Sequence, residues 1–138
     1  INQFTDPDNP TIKMFGNRTF KFFVGWLPDK IVKFFQDNHF AELNPAIIHQ
    51  PSAPVSDGLT RRVAKIIEEL KRQSGVTIHI PEILWLMRET GVNNVSAATA
   101  FFQMSQLIRY NRLKRGIPTP VIGYGIGAAG QLNVVEFT

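Results

Sequence analysis

The 138-residue chain contains no cysteine. Disulfides, thiolate zinc sites and a cysteine nucleophile are therefore excluded from these residues. No segment approaches the roughly 18 consecutive apolar residues of a membrane-spanning helix. The opening stretch INQFTDPDNP has neither the basic nor the apolar part of a secretory signal. The chain begins at Ile1 rather than Met, which reads as a processed product or a fragment. The expectation is an intracellular protein with no membrane partner, in the cytoplasm or nucleoid, or in the nucleus of a eukaryote.

Groupings that carry catalysis or metals are also scarce. His39, His49 and His79 are scattered, and no His, Asp or Glu set has ligand spacing. His79 reads as a hydrogen-bonded structural histidine. Asp6, Asp8 and Asp29 share no obvious element, and Glu68 and Glu69 read as solvated. No nucleophile has a base at a recognisable spacing. These absences predict a protein that is not an enzyme and holds neither metal nor cofactor.

Acidic residues vanish from the C-terminal part. Between Gly91 and Val135 the charged residues are Arg109, Arg112, Lys114 and Arg115, with no Asp or Glu. Such asymmetry points to an anionic partner. Over the whole chain Lys and Arg outnumber Asp and Glu by 15 to 11, with a pI of about 9.7. This excess permits a nucleic-acid partner without requiring one. Hydrophobic residues make up 43%, with eleven Phe, enough for a substantial core.

Periodicity locates the elements. Residues 11–26 alternate around Gly16-Asn17 and predict a β-hairpin. Pro28 opens a short helix over 28–38, with Ile31, Phe34 and Phe35 on one face. Residues 44–58 carry three prolines and read as a linker in which Ala46-Ile47-Ile48 can still pack. The linker divides an N-terminal extension, 1–50, from a C-terminal domain, 56–138. In that domain Leu59, Val63, Ile66, Ile67 and Leu70 predict a helix over 56–75, capped by Ser56 or Asp57 and stopped by Gly75. Residues 76–80 read as a short strand and 81–90 as a buried helix ending at Gly91. A longer helix follows within 91–116. Asn94 or Ser96 caps it, and Gly116 and Pro118 stop it. Two short strands close the chain around a glycine-rich tip.

That tip contains Gly125-Ile-Gly127-Ala-Ala-Gly130, a match to G-x-G-x-x-G. In a dinucleotide site such glycines precede a helix whose N-terminus holds the pyrophosphate. Here QLNVVEFT follows, which reads as strand, and no acidic residue stands about twenty positions on. The expected role is a mobile hairpin tip.

Helix, short strand, helix, turn at Gly91, helix and two-strand hairpin: this order resembles the winged-helix superfamily of helix-turn-helix domains over residues 57–138. The resemblance implies an α+β winged helix with an N-terminal extension, a recognition helix from about Val95 and a wing at 123–131. It implies sequence-specific binding of double-stranded DNA in transcription or replication control. Asn94, Ser96, Thr99 and Gln103 then contact bases from the solvent side of the helix. Arg61, Arg62, Arg109, Arg112, Lys114 and Arg115 contact the backbone, and Tyr124, Gly125 and Gly127 form the wing. Alternatives are a winged-helix interaction module docking a protein through the aromatic N-terminal element, and a viral or structural nucleoprotein. An oligomer is compatible with each.

Overall fold

The computed structural model describes residues 16–49, 53–84, 91, 98–125 and 129–138. Its first element is one helix, α1 (Gly16–Asp37), where the sequence predicted a hairpin over 11–26 and a helix from Pro28. The reason is a stripe at fourfold spacing: Phe23, Leu27, Ile31 and Phe35 are all buried. Pro28 lies mid-helix and denies the Val24 carbonyl its partner. Burial of that stripe outweighs the lost hydrogen bond.

β1 (Ala46–Ile48) lies inside the stretch read as a linker. Helix α2 (Ala53–Ser74) follows, with Leu59, Val63 and Ile66 buried as the periodicity requires. Gly75 ends it with a φ of +71°, its N–H donating to the Lys71 carbonyl at 2.9 Å. No strand forms over residues 76–80. Instead β2 (Ile83–Leu84) occupies part of the segment read as a helix over 81–90. Its two residues pair in parallel with Ala46 and Ile47, a partner that local periodicity does not reveal. Pro81 and Glu82 are not helical, and residues 85–90 of that predicted helix lie outside the described residues.

Helix α3 (Thr99–Arg109) stops before Gly116. Asn111 adopts φ 53° and donates to the Ile108 carbonyl, and the Arg112 N–H reaches Leu107. This is a Schellman stop with Asn taking the left-handed position usually given to Gly. The chain then enters β3 (Pro118–Gly125), which pairs antiparallel with β4 (Ala129–Glu136). The expected hairpin is present, but β3 also pairs in parallel with β1, Ile47 opposite Val121 and Ile48 opposite Ile122.

The sheet order is therefore β2-β1-β3-β4. The winged helix-turn-helix expectation is corrected at this point. A wing is a hairpin beside a helical cluster, whereas here the hairpin extends a mixed sheet covered on both faces. Ala46, Ile48, Ile122 and the stripes of α1 and α2 form one core layer. Ile47, Leu84 and Leu107 form the other, beneath α3. The alternation along β1 sends Ile47 to one layer and its neighbours to the other. The chain leaves β1 for β2 through α2 and crosses back to β3 through α3. Right-handed crossovers running in opposite directions place their helices on opposite faces.

One buried side chain fixes how β1 slides against β3. Asn44 Nδ2 lies 3.0 Å from the Lys114 carbonyl, 2.9 Å from that of Ile117 and 3.0 Å from Thr119 Oγ1. Its Oδ1 accepts from the Lys114 N–H at 2.9 Å, and its own N–H donates to Pro118 at 2.9 Å. Gly130 marks a second tight place. A Cβ there would lie 2.8 Å from the Trp26 ring, which stacks on Phe22 and has little room to retreat.

Asn44→Ala should cost about 3 kcal/mol in urea denaturation, because several buried backbone groups and Thr119 lose their partner together. Lys114→Ala should change stability little. The clamp uses the Lys114 backbone, and its ammonium pairs with Glu42 at the exposed surface. Gly130→Ala should cost about 1–2 kcal/mol through overpacking. Trp26→Phe, which removes the opposing ring atoms, should relieve part of that cost in a double-mutant cycle.

Candidate functional site

In open sheets with parallel strands, ligands bind beyond the carboxyl ends where the chain leaves neighbouring strands in opposite directions. That point here lies between β1 and β3. The first residue past β1 is His49, whose N–H still donates to the Ile122 carbonyl at 2.9 Å and so anchors the backbone to β3. At the matching end of β3 stands Tyr124. The two rings meet edge to face, with centroids 5.1 Å apart and planes at 77°. Phe23 of α1 covers the tyrosine, centroids 4.5 Å apart.

This packing sets the electrostatics. Burial lowers the His49 pKa from its ordinary value, so the imidazole is neutral at pH 7. A neutral imidazole carries one protonated and one unprotonated nitrogen. Burial likewise pushes the Tyr124 phenol up, so it stays protonated. The Tyr124 hydroxyl oxygen is buried and has no hydrogen-bond partner. The site thus combines an uncharged imidazole and an uncommitted hydroxyl in a largely apolar wall. Such groups polarise a carbonyl or hold a developing oxyanion. Among the described residues, no cluster of three or more His, Asp or Glu can hold a metal.

The residues singled out in the sequence scatter. Thr99 and Gln103, expected on the solvent side of a recognition helix, are buried at 0% exposure on the inner stripe of α3 with Leu107. Gln103 has neither end of its amide hydrogen-bonded. Asn94, Ser96 and Gly127 lie outside the described residues, and Gly125 ends β3. Arg61 is exposed and Arg62 half-buried on the third turn of α2. Arg109, Arg112, Lys114 and Arg115 are exposed at the other end of the sheet, where α3 turns into β3. Tyr124 lies in the interior of the site instead of on a wing. His49 was passed over as one of three scattered histidines. The signal that finds it is its place directly after a short, wholly apolar run between prolines.

His39 and His79 are remote from this site. Both line a cavity of about 170 Å³ with Phe35, Phe40, Val76 and Ile78, ahead of β1.

No family model and no curated protein matches the sequence. Solved structures do match. A 3-oxoacyl-(acyl-carrier-protein) synthase III aligns at a TM-score of 0.67 and 17% identity, covering 99% of this chain and 38% of that one. The same enzyme from Pseudomonas aeruginosa aligns at 0.61 and 16%, covering 99% and 39%. Cerulenin-bound OleA from Xanthomonas campestris aligns at 0.58 and 18%, covering 88% and 33%. At these identities the likeness establishes the fold. It removes the basis for duplex DNA as the partner, and for transcription or replication control as the role. It also overturns the expectation of a non-enzyme fold. The chain spans less than two fifths of the 3-oxoacyl synthase structures it matches, and its fold is similar to that part of them.

Proposed function

We propose that the chain forms part of an enzyme that joins two acyl thioesters into a 3-oxoacyl product. His49 is the group that polarises the reacting carbonyl. One observation carries this reading: a neutral, desolvated imidazole stands at the carboxyl end of β1, at the switch point of a condensing-enzyme fold. In a condensation of this class, the carbon beside one thioester carbonyl loses a proton and attacks the carbonyl of the other. A carbon–carbon bond forms, a carbon–sulfur bond breaks, and the released thiolate takes up a proton. Negative charge builds on a thioester oxygen as the carbon becomes nucleophilic. An uncharged imidazole donating its N–H to that oxygen lowers the barrier without needing to be a strong acid.

The other components follow from the composition. With no cysteine in the sequence, any enzyme thiol that carries an acyl group in transit lies outside these 138 residues. The outer side of α3 exposes Phe101 and Ile108, a surface suited to the remainder of such an enzyme. Arg61 and Arg62 lie on the helix that follows β1 in the chain and form a cationic rim for an anionic carrier.

The test is condensation of two acyl thioesters by the full encoded polypeptide, followed by thiol release and by mass of the 3-oxoacyl product. His49→Leu should lower kcat about 10²- to 10³-fold, the usual loss of an oxyanion donor. His49→Asn, which keeps an N–H, should recover part of it. An active His49→Leu protein would refute the reading.

A pH dependence of stability follows from the same histidine. Its folded pKa lies below its unfolded value of about 6.5, so below that pH the unfolded chain binds the extra proton first. Stability should therefore fall as pH drops below about 6.5, and fall less in His49→Gln, as read by melting temperature from pH 8 to pH 5.

A further inference from the structure

The contacts of Tyr124 account for its ring and leave its hydroxyl unexplained. Phe23 and His49 touch the aromatic face and edge, and the ring packs against the Ile48–Ile122 core layer. Phenylalanine would make every one of these contacts. The hydroxyl oxygen is enclosed and makes no hydrogen bond. An unmet buried hydroxyl is destabilising, so within the fold alone it is a liability. It also lies at a particular place. Tyr124 is the penultimate residue of β3 and faces His49 across the β1/β3 switch point. The edge-to-face contact puts the phenol and the imidazole side by side on one wall of the site. Among the described residues, Gln103 is the other side chain with unmet buried polar atoms, but it lies on α3, the helix over the Ile47–Leu84–Leu107 layer.

We infer that Tyr124 is a second hydrogen-bond donor of the site. Its O–H points to the same thioester oxygen as His49, the one that gains negative charge as the neighbouring carbon loses its proton. This inference rests on the condensing reading of the preceding subsection and adds a residue to it. The phenol remains protonated, so it donates, and an incoming oxyanion supplies the acceptor that the protein withholds. Two neutral donors from adjacent strands then share one oxygen, in the manner of an oxyanion hole. No atom is transferred to or from Tyr124. The Phe23 ring and the β3–β4 pairing hold the tyrosine ring in place before substrate arrives.

The deciding variant is Tyr124→Phe, measured in two ways. Melting without substrate should show a rise of about 3 °C, because the variant sheds an unmet buried hydroxyl and keeps the ring. A hydroxyl with a structural partner would give a fall instead and overturn the inference. Steady-state condensation of two acyl thioesters by the full encoded polypeptide should show kcat lowered about 10²-fold, with KM changed less than threefold. Unchanged kcat overturns the inference even if the protein melts higher. A raised KM at constant kcat also overturns it, since it assigns Tyr124 to ground-state binding. Wild-type protein that forms no 3-oxoacyl product refutes the condensing reading itself. Wild-type activity that is lost in His49→Leu and intact in Tyr124→Phe refutes only the tyrosine's role.

Discussion

Two parallel strands some 70 residues apart in sequence can slide against each other unless something fixes their offset. In this chain the Asn44 amide does so. It sits just ahead of β1 and binds Lys114 and Ile117, before β3, and Thr119 within it. β1 contributes only three residues of its own, too few for pairing alone to set a register. A one-residue slip would move Ile47 and Ile48 to the wrong layers, and both are at 0% exposure. It would also carry His49 away from Tyr124. The geometry of the site is thus fixed at the far end of the strands, by a polar group whose capacity is fully used.

The contrast between that end and the site end is physically informative. At Asn44 every buried polar atom has a partner. At Tyr124 a buried hydroxyl is left without one. Desolvation also acts at the site end, on a histidine it holds neutral and a phenol it holds protonated. A fold stabilised around Asn44 can tolerate unmet groups elsewhere, because each costs a few kcal/mol at most. Polar satisfaction thus concentrates at one edge of the sheet and unmet or desolvated polar groups at the other. In parallel sheets that division arises naturally, since the crossovers bring helix N-termini and loops to the carboxyl edge.

Much of the local structure was legible in the sequence. The stripe from Leu59 to Leu70, the stop at Gly75 and the closing hairpin all appear where periodicity and glycine place them. What sequence reasoning missed were the pairings. β1 and β2 together hold five residues, and neither alternates in polarity, because a strand covered on both faces is apolar throughout. One therefore read as linker and the other as helix. With β1 hidden, the hairpin had no parallel partner, and helix, helix and hairpin fell into the order of a winged helix. The misreading of α1 has a different origin. Pro28 invited a helix start, and Phe20, Phe22 and Val24 mimicked a strand. The fourfold stripe from Phe23 to Phe35 was equally present and is the pattern that packs. His49 was invisible for the same reason as β1: its significance is positional, and the position exists only once the sheet is assembled.

The glycine-rich stretch shows how one helix can support both the fold and the site. Its G-x-G-x-x-G spacing runs into a strand and not a helix, yet Gly130 is still constrained. Trp26 presses on it so closely that no side chain fits between. One turn earlier on α1, Phe23 presses on Tyr124, the residue that pairs with Gly130 across the hairpin. The two aromatic contacts therefore grip the same rung of the β3–β4 ladder from one helix face. A bulkier residue at 130 would push Trp26 away and, through the shared helix, disturb the ring that positions the tyrosine. The glycine's lack of a side chain is in this way a condition for placing a hydroxyl beside His49.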